Sequence, residues 1–284
     1  RSGRPAALPL RLEYRGVRWL ERRTFRSADR IISTNESYKA VAVRRGDRRP
    51  GHITVVRSGP DTQMMRPIYP AEPHGTDTVE LVYLGIMGPQ DGVDQVLLVV
   101  DELVHHRGRT NVTATLLGFG DCLEDLKRQS ARLGLEGTVT FTGRVDRDAI
   151  AEFLSRADIG LCPDLKTPLN DLSTMNKTME YMSYALPAVA VDLVETRVSG
   201  ADTVLSVPSG DTMASADALE RLIDDPVLRA RLGRKARERV ARELDWRPQA
   251  EAYVGVFDQV SGFSQPGPAV PPPVGVNGTD PRGR

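Results

Sequence analysis

Cysteine is scarce in this 284-residue chain: only Cys122 and Cys162 occur. They have no metal-ligand spacing, which favours two reduced, buried thiols. Histidine is equally thin, and His52, His74, His105 and His106 form neither a metal set nor a catalytic triad. No apolar run approaches the roughly 18 residues needed to span a bilayer as a helix. Excess charge is missing too: 38 Lys and Arg balance 38 Asp and Glu, which gives no argument for a nucleic-acid partner. The chain opens on Arg1 rather than Met and shows no signal-peptide pattern, so a fragment of a longer protein is expected.

What is present is ordinary for a soluble globular protein, with 40% hydrophobic and 27% charged residues and length for one large or two modest domains. One stretch stands out, PLNDLSTMNKTMEYMSYALPAVAVD, ending at Asp192. Asn170, Asp171 and Ser173 are turn and cap residues, and the run from Thr174 to Tyr184 has no Gly or Pro. Met175, Met179 and Met182 recur at helical spacing as an apolar face, Pro187 stops the helix, and Ala188–Val191 reads as a strand covered on both faces. Ser173, Asn176, Lys177, Glu180 and Tyr184 form a polar row. Unpaired N–H groups, hydroxyls, an amide and a lysine at a helix N-terminus suit a phosphate, and Glu180 can accept from paired sugar hydroxyls. A capped helix with a solvated face explains the same row. On the ligand reading, Lys177 and Glu180 matter for binding and not for folding.

The motif S-T-M-N-K-x-M-E-Y-M-x-x-x-x-P-x-V-x-x-D resembles the donor-binding helix of glycosyltransferase family 4, retaining enzymes of two-domain GT-B fold. DLVETRVS, Asp192 to Ser199, extends the match, and the similarity runs from about Ala28 to Tyr253. The resemblance implies an α/β, GT-B-like fold: a doubly wound parallel, Rossmann-like sheet with a partial second Rossmann-like domain. Residues 1–61 would be the remnant of the N-terminal, acceptor-binding domain, 62–77 a linker, 78–244 the nucleotide-sugar domain and 245–261 a C-terminal crossover helix. Residues 262–284, rich in Pro and Gly, are expected to be disordered, as are residues 1–9.

The pattern itself predicts a basic amphipathic helix over Leu10–Ser27, a strand at Ala28–Ser33, a helix at Glu36–Arg45 and a strand at Ile53–Val56. Beyond Thr78, strands at Glu80–Leu84, Val112–Leu117, Val139–Thr142, Ile159–Cys162, Ala188–Val191 and Val204–Val207 alternate with helices at Asp94–His105, Leu123–Leu133, Asp146–Arg156 and Thr174–Tyr184. That alternation argues for a parallel doubly wound sheet, whose ligands collect at the carboxyl ends of its strands. Three closing helices follow, at 211–224, 226–244 and 246–260.

Four loops at strand ends are candidates. Gly85, Gly88 and Gly92 let backbone approach a ligand, and Gly118 with Gly120 does the same after the next strand. Neither pair completes G-x-G-x-x-G. Gly143, Arg144 and Val145 match the place where relatives hold the nucleotide base; Arg144 either stacks on a base or caps the next helix. In the loop from Pro163 to Leu172, Lys166 reads as a surface lysine. The implied donor-binding set is Gly85, Gly88, Gly118, Gly143, Arg144, Val145, Ser173, Thr174, Asn176, Lys177 and Glu180, with Glu180 and Lys177 as the catalytic pair and no metal ligand.

Departures from the family are definite. Leu172 replaces the first glutamate of E-x7-E, leaving Asp171 as a neighbouring carboxylate, and Ala185 replaces a Gly. The Arg and Lys that clamp the diphosphate are absent, with Gln90 and Asp91 nearby. Arg57, a residue outside this chain or a divalent cation would have to complete the neutralisation. The resemblance therefore implies transfer of a sugar from a UDP- or GDP-sugar to a sugar or lipid-linked acceptor with retention, in cell-surface polysaccharide or glycoconjugate synthesis. It implies no tightly bound cofactor, no nucleic acid, a cytoplasmic location and, through the basic helix, a peripheral contact at the inner membrane face. The chain alone is expected to bind nucleotide weakly without turnover. Alternatives are a nucleotide-binding but inactive fragment or a nucleotide-sugar epimerase; an NAD-dependent oxidoreductase lacks its fingerprint.

Overall fold

The computed structural model describes residues 8–68 and 78–262. The expectations for residues 1–7, for 69–77 of the linker and for 263–284 lie outside the described residues. Helix α1 (Leu8–Ser27) precedes β1 (Ile31–Ser33), α2 (Glu36–Gly46) and β2 (Ile53–Val55), and β1 pairs with β2 in parallel. α1 starts at Leu8, inside the stretch expected to be disordered. Its Phe25 packs on Gly46 of α2, where a Cβ would come within 2.6 Å of the ring's own Cβ. Glu21 pairs with Arg45 at 2.8 Å, while Leu12, Tyr14, Val17, Trp19 and Leu20 stay exposed. Among the described residues no helix is long and apolar enough to cross a membrane.

The second unit begins with β3 (Val79–Ile86), whose Leu81, Val82 and Tyr83 are fully buried, as a strand covered on both faces requires. There follow α3 (Val93–Asp101), β4 (Val112–Phe119), α4 (Leu123–Arg132), β5 (Val139–Gly143), α5 (Arg147–Arg156), β6 (Ile159–Cys162), α6 (Asn176–Ser183), β7 (Ala188–Val191), α7 (Val194–Gly200) and β8 (Val204–Val207). α8 (Thr212–Asp224), α9 (Pro226–Glu243) and α10 (Trp246–Ser261) close the chain. Among the described residues the sheet order is β5-β4-β3-β6-β7-β8, all parallel. The chain builds outward from β3 to β5, then crosses back to β6, so the topological switch lies between β3 and β6. A crevice at the carboxyl ends of those strands follows from the strand order alone.

Boundaries differ from the sequence expectation where side chains find distant partners. The helix expected over Asp94–His105 is α-helical to Asp101 and finishes in a π-turn, Glu102–His106. α7 was not expected: its Val194, Thr196 and Val198 are poor helix formers, and it is capped from afar by Asp171, whose Oδ1 accepts from Val194 N at 3.0 Å. Asp171 thereby serves as a helix cap.

α6 is fixed by Tyr181. Its ring fills the space over Gly160, where a Cβ would meet Cδ2 at 2.5 Å. Its hydroxyl donates to Leu161 O at 3.2 Å and accepts from Leu84 N at 2.8 Å, bolting the helix to β6 and β3. On its far side Met179 and Met182 pack with Ala236, Val240 and Leu244 of α9 and its end. Tyr184, expected in the polar row, is buried with Leu186 and Ala188.

The start of the segment expected to be a linker is clamped. Thr62 donates from both N and Oγ1 to Asp245 Oδ2, and Arg237 donates to the carbonyls of Thr62 and Met65 at 2.7 and 3.1 Å. Burial works to raise the Asp245 carboxyl, but the Arg247 guanidinium, the Thr62 hydroxyl and two backbone N–H groups hold it well below the ordinary aspartate range. A depressed folded value contributes stability that is present above the ordinary value of 3.8 and lost as pH falls below it. We expect Asp245→Asn to flatten the decline of melting temperature between about pH 4 and pH 2. Wild-type acid sensitivity in the variant would show that the clamp does not carry it.

Candidate functional site

The loops after β3, β4 and β5 and the start of α6 enclose an open cleft of about 500 Å³. Gly85, Gly118, Arg144, Val145, Thr174, Asn176, Lys177 and Glu180 of the expected set line it. The close approach of β3 and β4 at its floor needs glycine, since a Cβ on Gly118 would fall 1.8 Å from Gly85 O. Gly88, Gly143 and Ser173 are not among the lining residues. Gly88 N donates to Asp91 Oδ2 at 2.9 Å, which closes the first loop on itself, and Gly143 O accepts from Thr142 Oγ1 at 2.9 Å.

Ser173 does not cap α6 either. Its Oγ donates to Leu169 O at 2.8 Å and lies 2.5 Å from the Tyr38 hydroxyl, so α6 starts two residues later than expected, behind Met175. Asn35 continues the seam. Its side chain accepts from Tyr38 N at the head of α2 and donates to Leu172 O at 2.9 Å and Thr174 Oγ1 at 3.0 Å. The N-terminal unit thus holds the loop that leads into the cleft. Arg57, a candidate for the diphosphate, is spent elsewhere: it pairs at 3.2 Å with Glu195 on α7, whose other oxygen accepts from Ser37 at 2.6 Å.

Lys177 and Glu180 are not solvated helix residues. The Lys177 side chain is only 10% exposed, with Nζ 2.5 Å from Asp164 Oδ1 and 5.4 Å from the centroid of the Tyr83 ring. Gly85 makes room for its stem, since a Cβ there would lie 3.2 Å from Lys177 Cε. Glu180 is half-buried, and among the described residues nothing hydrogen-bonds its carboxylate. Burial raises this carboxyl above the ordinary glutamate value, against the opposing pull of Lys177. Glu180 and Asn176 also line a second cleft of about 470 Å³, with Ser58–Asp61, Arg147 and Trp246, so the carboxylate stands where the two openings meet.

At the other end of the first cleft the Arg144 guanidinium lies over the Phe119 ring, 4.5 Å from its centroid. It does not cap α5, because Asp146 Oδ1 takes Ala149 N at 2.9 Å. Phe119 and Ile86, both exposed, add apolar surface beside it. Lys166 is a surface lysine, donating to Asp192 O at 3.1 Å. Both cysteines are free, and burial pushes the Cys162 thiol up to about 12. Sequence reasoning missed Asp164 and Phe119; each stands at or within two residues of a strand end, the one signal that marked them.

Residues 78–225 match the family described as glycosyl transferases group 1. The chain belongs to this family. Glycogen synthase of Mycobacterium tuberculosis is 27% identical over 223 residues, covering 77% of this chain and 51% of that protein. Alpha-D-kanosaminyltransferase of Streptomyces kanamyceticus is 28% identical over 192 residues, covering 66% and 48%. The chain spans about half the length of these curated relatives. Among solved structures, sucrose-phosphate synthase from Thermosynechococcus elongatus superposes with a TM-score of 0.73 at 21% identity, over 88% of this chain and 63% of that one. HepE of Anabaena in complex with UDP gives 0.67 at 16%, over 83% and 64%. The α/β architecture of the group 1 glycosyltransferases, GT-B-like in the solved structures it resembles, is therefore the fold of this chain, and the reading of a glycosyltransferase holds.

Proposed function

We propose that the cleft binds a nucleotide-sugar, a UDP- or GDP-sugar, and that the complete protein transfers the sugar to a sugar or lipid-linked acceptor with retention. The observation that carries this reading is the convergence of Lys177 and Glu180 on one cleft at the topological switch point. The Arg144–Phe119 platform offers a flat face for the base, with Val145 beside it. Lys177 and the first N–H groups of α6 meet the diphosphate, and their positive charge stabilises it as it leaves. Glu180, with no hydrogen-bond partner for its carboxylate among the described residues, accepts from two sugar hydroxyls and so orients the anomeric carbon toward the second cleft. That second cleft, bounded by the Ser58–Asp61 segment, is where an acceptor would enter. The solved complexes of HepE with UDP and with UDP-glucose support a nucleotide-sugar in this fold.

Calorimetric titration of the 284-residue chain with UDP, GDP, uridine and guanosine tests the reading. One nucleoside diphosphate should bind, and bind more tightly than its nucleoside. No measurable heat for either diphosphate at millimolar concentration would refute it.

A further inference from the structure

Asp164 was not singled out by its sequence pattern and does not line the cleft. It sits in the loop after β6, on the switch-point side of the sheet, and is only 1% exposed. Its Oδ1 takes the Lys177 ammonium at 2.5 Å, while Oδ2 is buried without a hydrogen-bond partner among the described residues. A buried carboxylate left half-satisfied lowers stability, so its retention calls for a compensating role. The gain visible here is the conformation of Lys177. A lysine stem has many rotamers and an ammonium no directional fork, so an unpaired lysine at a cleft wall samples many positions. The ion pair selects one: the stem runs past Gly85 and the ammonium lies over Tyr83. Asp91, the carboxylate of the first loop, is turned to Gly88 N and Gln90 Nε2 instead.

We propose that Asp164 is a positioning residue for diphosphate recognition, holding the Lys177 ammonium in a fixed place at the cleft wall before the nucleotide arrives. The inference rests on the donor-site reading above. Preorganisation of this kind saves the ordering entropy of a long side chain at the moment of binding.

The test is calorimetry of wild type, Asp164→Asn, Lys177→Ala and the double variant with UDP, GDP and the two nucleosides. Asp164→Asn should weaken the diphosphate by about tenfold, which corresponds to about 1.4 kcal/mol, and leave the nucleoside unchanged. In the Lys177→Ala background the same substitution should change neither ligand, since the group it positions is gone. Equal diphosphate affinity in wild type and Asp164→Asn, or tighter binding by the variant, would overturn the inference while leaving the donor site standing. Failure of wild type to bind either diphosphate would instead overturn the donor-site reading. A measurement on wild type alone covers the case in which Asp164→Asn does not fold. With ¹³C-labelled lysine, the Lys177 ε-methylene of the free protein should relax as a restricted group, unlike exposed Lys235. Surface-like relaxation of Lys177 would likewise overturn the inference.

Discussion

Glu180→Gln should separate binding from stability. The substitution keeps size and removes the charge. A carboxylate accepting from two sugar hydroxyls forms charge-assisted bonds, so its loss should weaken a nucleotide-sugar by about ten- to hundredfold, or about 1.5–3 kcal/mol. The bare nucleoside should be unaffected. The melting temperature should hold or rise. Burial raises the Glu180 carboxyl, so the folded state takes up a proton more readily than the unfolded chain. The stability linked to this group is thus fully present below the ordinary glutamate value of 4.5 and is lost as pH rises through the higher folded value. Above that window wild type carries a desolvated charge that glutamine does not. Titration with UDP-glucose and GDP-mannose beside melting curves at pH 4.5 and pH 8 reads both effects. Unchanged sugar-nucleotide affinity with a lowered melting temperature at pH 8 would make Glu180 a structural residue and remove it from the donor site.

Lys177→Ala should move both quantities. On the donor-site reading its ammonium meets the diphosphate, so UDP should lose more affinity than uridine, by about 1.5–3 kcal/mol. Unlike a solvated helix position, it also has a buried counter-charge. Removing it leaves Asp164, whose side chain is 2% exposed, with neither oxygen paired in the interior. Breaking a buried ion pair from one side typically destabilises by about 3–5 kcal/mol. Adding Asp164→Asn should recover part of that loss, because it removes the stranded charge. Denaturant unfolding of the single and double variants measures it. A Lys177→Ala midpoint equal to wild type would mean that the pair contributes nothing to folding, against the expectation here. The sequence alone suggested the reverse, since a lysine at the start of an amphipathic helix reads as solvated.

The chain's periodicity determined the architecture. Continuous apolar runs such as Ile159–Cys162 and Ala188–Val191 cannot present a polar face, so they are strands covered on both sides. Between them the amphipathic helices leave a parallel sheet as the arrangement that buries both. The motif around Lys177 and Glu180 likewise marked a helix that lines the cleft, and the glycines at the ends of β3 and β4 marked its floor. Local signals of this kind survive in sequence because each depends on neighbours within a turn or a strand.

The partners of those residues were decided by tertiary structure. Ser173 reads locally as a cap, yet its hydroxyl meets Tyr38, 135 positions away. Arg57 reads as a free cation, yet it is held by Glu195 across 138 positions. Asp171 caps a helix that its own neighbourhood does not announce. Lys177 and Glu180 keep their chemical types in any conformation, but how far water reaches them depends on Asp164, Tyr83 and the strands that carry these side chains to α6. Desolvation and ion pairing are properties of what surrounds a group in space. No spacing along the chain encodes them.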